Sequence, residues 1–348
     1  MKRLLNTLLL ACSISLAFSQ RITYNYDAAH RLTKVDYGNK SITYVYDKSG
    51  NLLSRTVAAS AGGPVVTAAG VVNAASFKGG AVAPGEMVTI FGTGIGPANL
   101  AGFQIANNLV GGSVAGTRFL FDGSPAPIIY VSATQSTVMV PYAVAGKTTT
   151  QLVAEYQGVQ SAPVTLNVAD AVPGLYTITQ NGTGPAAIVN QDGSINSVSS
   201  PAPKGSVVLL FLTGDGQTNP SGVDGKLAVD TLPRTAAPVT VTIGGVQAEV
   251  AYSGVAPQSI AGFTQLNVVV PATAPSGSAV PVVVKVGTAS SAAGVTVAIQ
   301  QSTRPLPTLS AYRAAVPSSL WSVRPPAPQS SPREANRVVI SRFPSSRA

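Results

Sequence analysis

Residues 88–96 read VTIFGTGIG, and residues 208–216 read VLLFLTGDG. Glycines alternating behind a short apolar run admit two readings, a loop that cradles phosphate or a structural corner used twice. A dinucleotide fingerprint needs glycines in the order G-x-G-x-x-G opening a helix, with an acidic residue about 20 positions later. Here Gly92, Gly94 and Gly96 alternate, Pro97 stands where the third glycine belongs, and no helical period follows. The second stretch carries Leu212 in place of Gly92. Both stretches instead put glycine where a strand turns sharply and φ can be positive. The corner reading sets the fold class as all-β.

The corner belongs to a longer duplication. Gly85, Val88, Phe91, Thr93, Gly94 and Gly96 recur 120 residues later as Gly205, Val208, Phe211, Thr213, Gly214 and Gly216. DGSPAPIIY (122–130) then matches GGVQAEVAY (244–252), QSTVMVP (135–141) matches QLNVVVP (265–271), and VTLNV (164–168) matches VTVAI (295–299), all in the same order. The span therefore reads as two tandem homologous β-domains, 66–168 and 169–301. Roughly seven short strands in each fit an immunoglobulin-like β-sandwich. The pairs Val140-Pro141 and Val270-Pro271 close strands at the rim, where a missing N–H costs nothing. A shorter repeat lies upstream: ITYNYD (22–27) returns as ITYVYD (42–47), a period of 20. Its strict alternation predicts a β-hairpin in each copy, so 20–57 is read as a repeat segment and 58–65, opening AASAGG, as a linker.

These motifs carry resemblances to known families. The two hairpin copies, with their tyrosine–aspartate pair and turn, closely resemble the YD repeat of Rhs and teneurin-like proteins. Gly50 keeps the turn glycine of that repeat; His30 replaces it in the first copy, and Asn51 stands where the arginine is expected. In that family many repeats wind into a shell around a cargo. Two repeats enclose nothing, so the resemblance implies a remnant or cap. APGEMVTIFGTGIGP (83–97) resembles the opening of IPT/TIG domains, immunoglobulin-like modules of bacterial surface and binding proteins. From VVNAASF (71–77) through VPVVVKVG (280–287) the chain is similar to the C-terminal domain of secreted proteins abundant in Solibacter-type acidobacteria. That similarity implies architecture and location but no reaction.

Charge distribution narrows the partners. The chain has 348 residues and a formal net charge of +9, yet only 10% of its residues are charged. Residues 58–301 hold seven basic and nine acidic groups, whereas the tail from 302 holds seven arginines against Glu334. The expected folded core is slightly acidic, so a nucleic-acid face is not indicated. Met1–Ser19 reads as a secretory signal: Lys2-Arg3, a leucine-rich run, then Ala17-Phe18-Ser19. The run is shorter than the roughly 20 apolar residues a membrane span needs. A lipobox-like Leu9-Leu10-Ala11-Cys12 makes a lipid anchor at Cys12 the rival reading. Residues 302–348, rich in Pro, Ser and Arg, read as a disordered tail.

Few residues suit catalysis. His30, the sole histidine, falls in a repeat turn, no G-x-S-x-G elbow occurs, and cleavage before Gln20 leaves no cysteine. No cofactor is expected. The candidate for a metal is a calcium loop within TGDGQTNPSGVDGKLAVD (213–230), where Asp215, Asn219, Asp224 and Asp230 supply oxygens, although their spacing fits no EF-hand. An aromatic sugar platform would have to use Tyr130, Tyr142, Tyr156, Tyr176 and Tyr252; the equivalent repeat positions of Tyr130 and Tyr252 favour a core or corner role. The reading is a secreted or cell-surface, non-enzymatic structural, adhesive or protein-interaction protein. Its partner would be a protein or glycan outside the cell. The alternatives are a glycan-binding accessory module or the remnant of a YD-repeat toxin or surface protein.

Overall fold

The computed structural model describes residues 22–36, 40–59 and 63–300, with the dipeptides 323–324 and 339–340. Met1–Ser19, read above as a secretory signal, and Cys12 within it lie outside the described residues. So does the tail, apart from Val323–Arg324, which pairs antiparallel with Val339–Ile340. The described residues contain strands and one 3₁₀ turn, Tyr142–Val144, but no α-helix. The chain forms two compact units, which divide after Gly62.

The first unit is a four-stranded antiparallel meander of β1 (Thr23–Tyr26), β2 (Leu32–Asp36), β3 (Lys40–Tyr46) and β4 (Leu52–Ala59), in chain order. The two copies share the aspartate that anchors the turn. Asp27 Oδ1 accepts the N–H groups of Ala29 and Arg31, and Asp47 Oδ1 accepts the N–H of Asn51. His30 takes φ 60° where Gly50 takes φ 91°, so the replaced glycine keeps its left-handed backbone. β4 continues to Ala59, two residues into the stretch read as a linker.

In the second unit, β5 (Val65–Asn73) and β6 (Met87–Thr93) form one layer with β8 (Ile128–Val131) and β9 (Gln135–Met139), in the order β5-β6-β9-β8. The facing layer is built from β7 (Thr117–Phe121), β10 (Thr149–Tyr156) and β11 (Val164–Asn167). Between them lies a core that includes Val88, Ile90, Phe119, Phe121, Ile128, Val138, Leu152 and Leu166. This is an immunoglobulin-like β-sandwich.

A second core follows, under β12 (Val207–Thr213), β13 (Val239–Ile243), β14 (Val246–Val255), β15 (Thr264–Val269), β16 (Gly277–Val286) and β17 (Val295–Gln300). It includes Val208, Leu210, Val241, Ile243, Leu266, Val268, Val282, Val284 and Ile299. The registers repeat those of the first core. Val88 pairs with Val138 and Val208 with Val268; the ladder then slips between Ile128 and Tyr130, and again between Val250 and Tyr252. The strand turns repeat too: Glu86 N–H bonds Ala83 O around Gly85 (φ 72°), and Ser206 N–H bonds Pro203 O around Gly205 (φ 79°).

One difference between the cores has a plain cause. In the second, β14 runs unbroken for 10 residues and pairs with both β13 and β15, which joins the layers into one continuous sheet. In the first, Pro125 and Pro127 occupy the places of Gln247 and Glu249. Proline has no N–H for a ladder, so the strand breaks and the layers stay separate.

The first core is densely filled by two aromatic rings, of which Phe119 is wholly buried. Phe119→Ala is expected to cost about 3–5 kcal/mol, read as a lowered urea midpoint with an unchanged slope.

Candidate functional site

Two of the residues singled out from the sequence, Tyr142 and Asp224, come together where the two cores meet. The segment after the second corner folds back against the first core and acts as a clasp. Val110 N–H bonds Gly225 O and Leu227 N–H bonds Asn108 O, both at 2.9 Å. Asp224 Oδ1 accepts the Tyr142 N–H at 2.8 Å. The Tyr142 ring packs against Gly85 on its own side and Gly222 on the other, and a Cβ at either glycine would collide with it. Met87, Val110, Met139 and Tyr142 meet Ile260 and Ala261 in a buried apolar cluster that spans the junction. Thr213 Oγ1 accepts the Met87 N–H at 2.7 Å and donates to Gly262 O at 2.8 Å, with Thr213 fully buried.

This arrangement accounts for the proposed calcium ligands. Asp215 is buried, and both of its carboxyl oxygens are taken: Oδ1 by the Thr264 hydroxyl and Oδ2 by the Thr235 hydroxyl, each at 2.7 Å. Burial raises its pKa, against the pull of those two hydroxyls. Burial also raises that of Asp224. Asn219 is exposed on a two-residue strand against Arg234, and Asp230 is exposed. Asp224 thus serves the junction, whereas Asp215 is bonded within the second core. Among the described residues, no group of three or more His, Cys, Asp or Glu side chains is placed to hold an ion.

A second polar centre was not visible in the sequence. Glu86 is fully buried; its Oε2 accepts the Ala83 N–H at 2.7 Å and its Oε1 accepts Asn73 Nδ2–H at 2.8 Å. Asn73 also donates to Val172 O at 3.0 Å, while its Oδ1 accepts the N–H groups of Ala75 and Ser76. Its side chain therefore ties the first core to the segment that leads into the second. Burial pushes the Glu86 carboxyl up to about 8, although both donors pull it down. The one available signal was that Glu86 is the only acidic residue between Asp47 and Asp122.

The corner glycines answer to two demands. Gly94, Gly214 and Gly216 have φ values of 64°, 79° and 78°. Gly92 and Gly96 do not have positive φ, which corrects the expectation of a sharp turn there. A Cβ on Gly92 would strike Val65 O, and one on Gly96 would strike Val131. Close backbone packing, and no phosphate cradle, explains the motif.

The tyrosines form no platform on the second unit. Tyr130 and Tyr142 are buried, and Tyr156, Tyr176 and Tyr252 are half-buried. Tyr130 Oη accepts a bond from Gln135 Nε2, while Tyr252 donates to Val255 O under the Arg234 guanidinium. An open cleft of about 570 Å³ does exist beside the second core, lined by polar groups such as Asn190, Asp192, Ser194 and Ser200. Most of these are already engaged: Asn190 Nδ2 donates to Ser194 Oγ and Ser200 O, and Ser194 Oγ donates to Asp192.

Among known families, the RHS repeat matches residues 26–61 and the IPT/TIG domain matches residues 71–168. No curated protein matches the chain. Similar solved structures include SGBP-B from a complex xyloglucan utilization locus in Bacteroides uniformis, 13% identical with a TM-score of 0.21. Domains 4–9 of the surface layer protein SbsC are also 13% identical with a TM-score of 0.21. The endo-fucoidan hydrolase MfFcnA4 of glycoside hydrolase family 107 is 15% identical with a TM-score of 0.14. These matches cover 66%, 82% and 64% of this chain. The chain spans 49%, 46% and 27% of their lengths, about half or less.

Two outcomes follow from the junction. The folded state holds a proton on Glu86 up to about pH 8, whereas the unfolded chain releases it in the ordinary carboxyl range. Stability therefore falls as pH rises between those values and levels off above, with a slope of at most about 1.4 kcal/mol per pH unit. Urea midpoints from pH 5 to 9 should show this fall, and Glu86→Gln should flatten it. Gly222→Val drives a side chain into the Tyr142 ring, so calorimetry should resolve two transitions where the parent shows one.

Proposed function

We propose that this chain is a non-enzymatic structural or adhesive protein of the cell exterior, a stiff β spacer that presents loops to protein partners. The carrying observation is the buried junction. Thr213 bonds to both sides of it, and the Tyr142 ring is wedged between Gly85 and Gly222. An interface so closely fitted resists hinge motion, and stiffness suits spacing and display. The RHS-repeat and IPT/TIG matches support the reading, since both resemble modules of surface proteins. The second core is read as a duplicated immunoglobulin-like module, and the 66–301 span as a relative of the acidobacterial secreted-protein domain. Export through Met1–Ser19 belongs to the same reading.

The polar cleft at Asn190–Ser200 favours a second reading, a glycan-binding accessory module, because sugars are recognised by amide, carboxylate and hydroxyl groups. A glycan array probed with the full chain, with and without calcium, separates the two. The spacer reading expects no specific binding and no effect of calcium, together with cleavage of the protein by protease added to intact cells. Specific glycan binding lost in Asp192→Ala would replace it with the glycan-module reading.

A further inference from the structure

The first unit contains a joint between two copies of one hairpin, and its outer edges offer the two halves of that joint again. In the chain, β2 of the first copy pairs with β3 of the second through Lys34↔Thr43, Val35↔Ile42 and Asp36↔Ser41. Side chains secure the joint. Tyr46 donates from its hydroxyl to Leu32 O at 3.0 Å, and Arg31 Nη1 donates to Asp47 O at 3.1 Å. The same guanidinium sits 5.0 Å from the centre of the Tyr46 ring.

The period of 20 places the same elements at the edges. β1 is the counterpart of β3, and β4 is the counterpart of β2, with Tyr26 for Tyr46 and Leu52 for Leu32. The pairings inside each hairpin coincide, including the register slip, which falls after Asn25 in one copy and after Val45 in the other. No described strand pairs with the outer edge of β1 or β4. Ile22 is exposed there where its counterpart Ile42 is buried, and Tyr26 (59%) and Leu52 (51%) are exposed where Tyr46 and Leu32 are half-buried. Neither edge carries a proline, and β1, TYNY, carries no charge to blunt it.

We propose that this edge pair is a self-association site, in which β1 of one molecule docks on β4 of a second copy in the register of the internal joint. The register places Thr23 opposite Ser54 and Ile22 opposite Arg55 of the neighbour, with the Tyr26 hydroxyl donating to Leu52 O. The contact is heterologous, so each added copy leaves a β1 edge and a β4 edge free. It therefore builds a ring where the rotation closes and a filament where it does not. Two elements of the internal joint are missing: Ile22 meets Arg55 where the internal joint has the buried pair Val35 and Ile42, and the Arg31 guanidinium has no counterpart. Asn51 stands where Arg31 stands in the first copy, and its side chain bonds Asp47 instead of reaching a neighbouring tyrosine. The intermolecular joint is accordingly weaker than the internal one.

Two measurements on the full chain test this. Sedimentation velocity over a concentration series should show reversible association that Tyr26→Ala weakens and Asn51→Arg strengthens, each by about tenfold in dissociation constant. In a Cys12→Ser background, mild oxidation of Thr23→Cys mixed with Ser54→Cys should give a disulfide-linked dimer of the mixed type. A monomer at all concentrations that Asn51→Arg leaves unchanged would overturn the proposal. So would Thr23→Cys alone cross-linking as well as the mixture, because that would place β1 against β1.

Discussion

The larger unit depends on a close approach of backbones where its two cores meet. Gly262 lies so near the Gly85 carbonyl that a Cβ has no room, and Thr213 spans the same point with both hydrogen-bonding directions of its hydroxyl. A hydroxyl buried there without partners would carry a desolvation cost of about 1–3 kcal/mol. Both partners are backbone groups, Met87 in a strand and Gly262 in the turn before one, so the hydroxyl specifies one relative placement of the cores. The apolar cluster around Tyr142 then adds area to a geometry already fixed by polar groups.

The two cores differ at this junction. The strand turn that carries Glu86 in the first copy carries Ser206 in the second, where the hydroxyl bonds Pro203 O within its own turn. Only the first of these turns faces the other core, so only there does a buried carboxyl with two N–H donors have a task. The segment behind the second corner serves as the clasp. Asp224 accepts from Tyr142, and Asp215 accepts from Thr235 and Thr264. Acidic spacing alone suggested a metal loop. The hydroxyl and amide donors that satisfy those acids lie 20 to 82 positions away, in two strands and a 3₁₀ turn.

The first unit shows the opposite economy. It is a single sheet with no second layer among the described residues, and much of its apolar surface, including Tyr24, Tyr26, Leu53 and Val57, stays in water. A sheet of this kind gains stability by adding strands at its edges. The second unit stabilises itself by facing layers. One chain thus combines a self-sufficient β body with a repeat segment whose edges remain open.

The sequence by itself determined the all-β class, the period of 20, the 120-residue duplication and the glycine corners. Each of these follows from local backbone chemistry or from repetition, which can be read without knowing contacts. His30 at φ 60° belongs to the same category, because the repeat places it at the turn glycine's position. Tertiary structure alone decided the rest: that Asp224 holds Tyr142, that Asn73 and Glu86 bind the first core to the segment before the second, and that Gly92 and Gly96 answer to crowding. The physical reason is separation. The partners of these residues lie up to 126 positions away, as with Met87 and Thr213, and nothing in a local pattern encodes which distant backbone group a buried polar atom will meet.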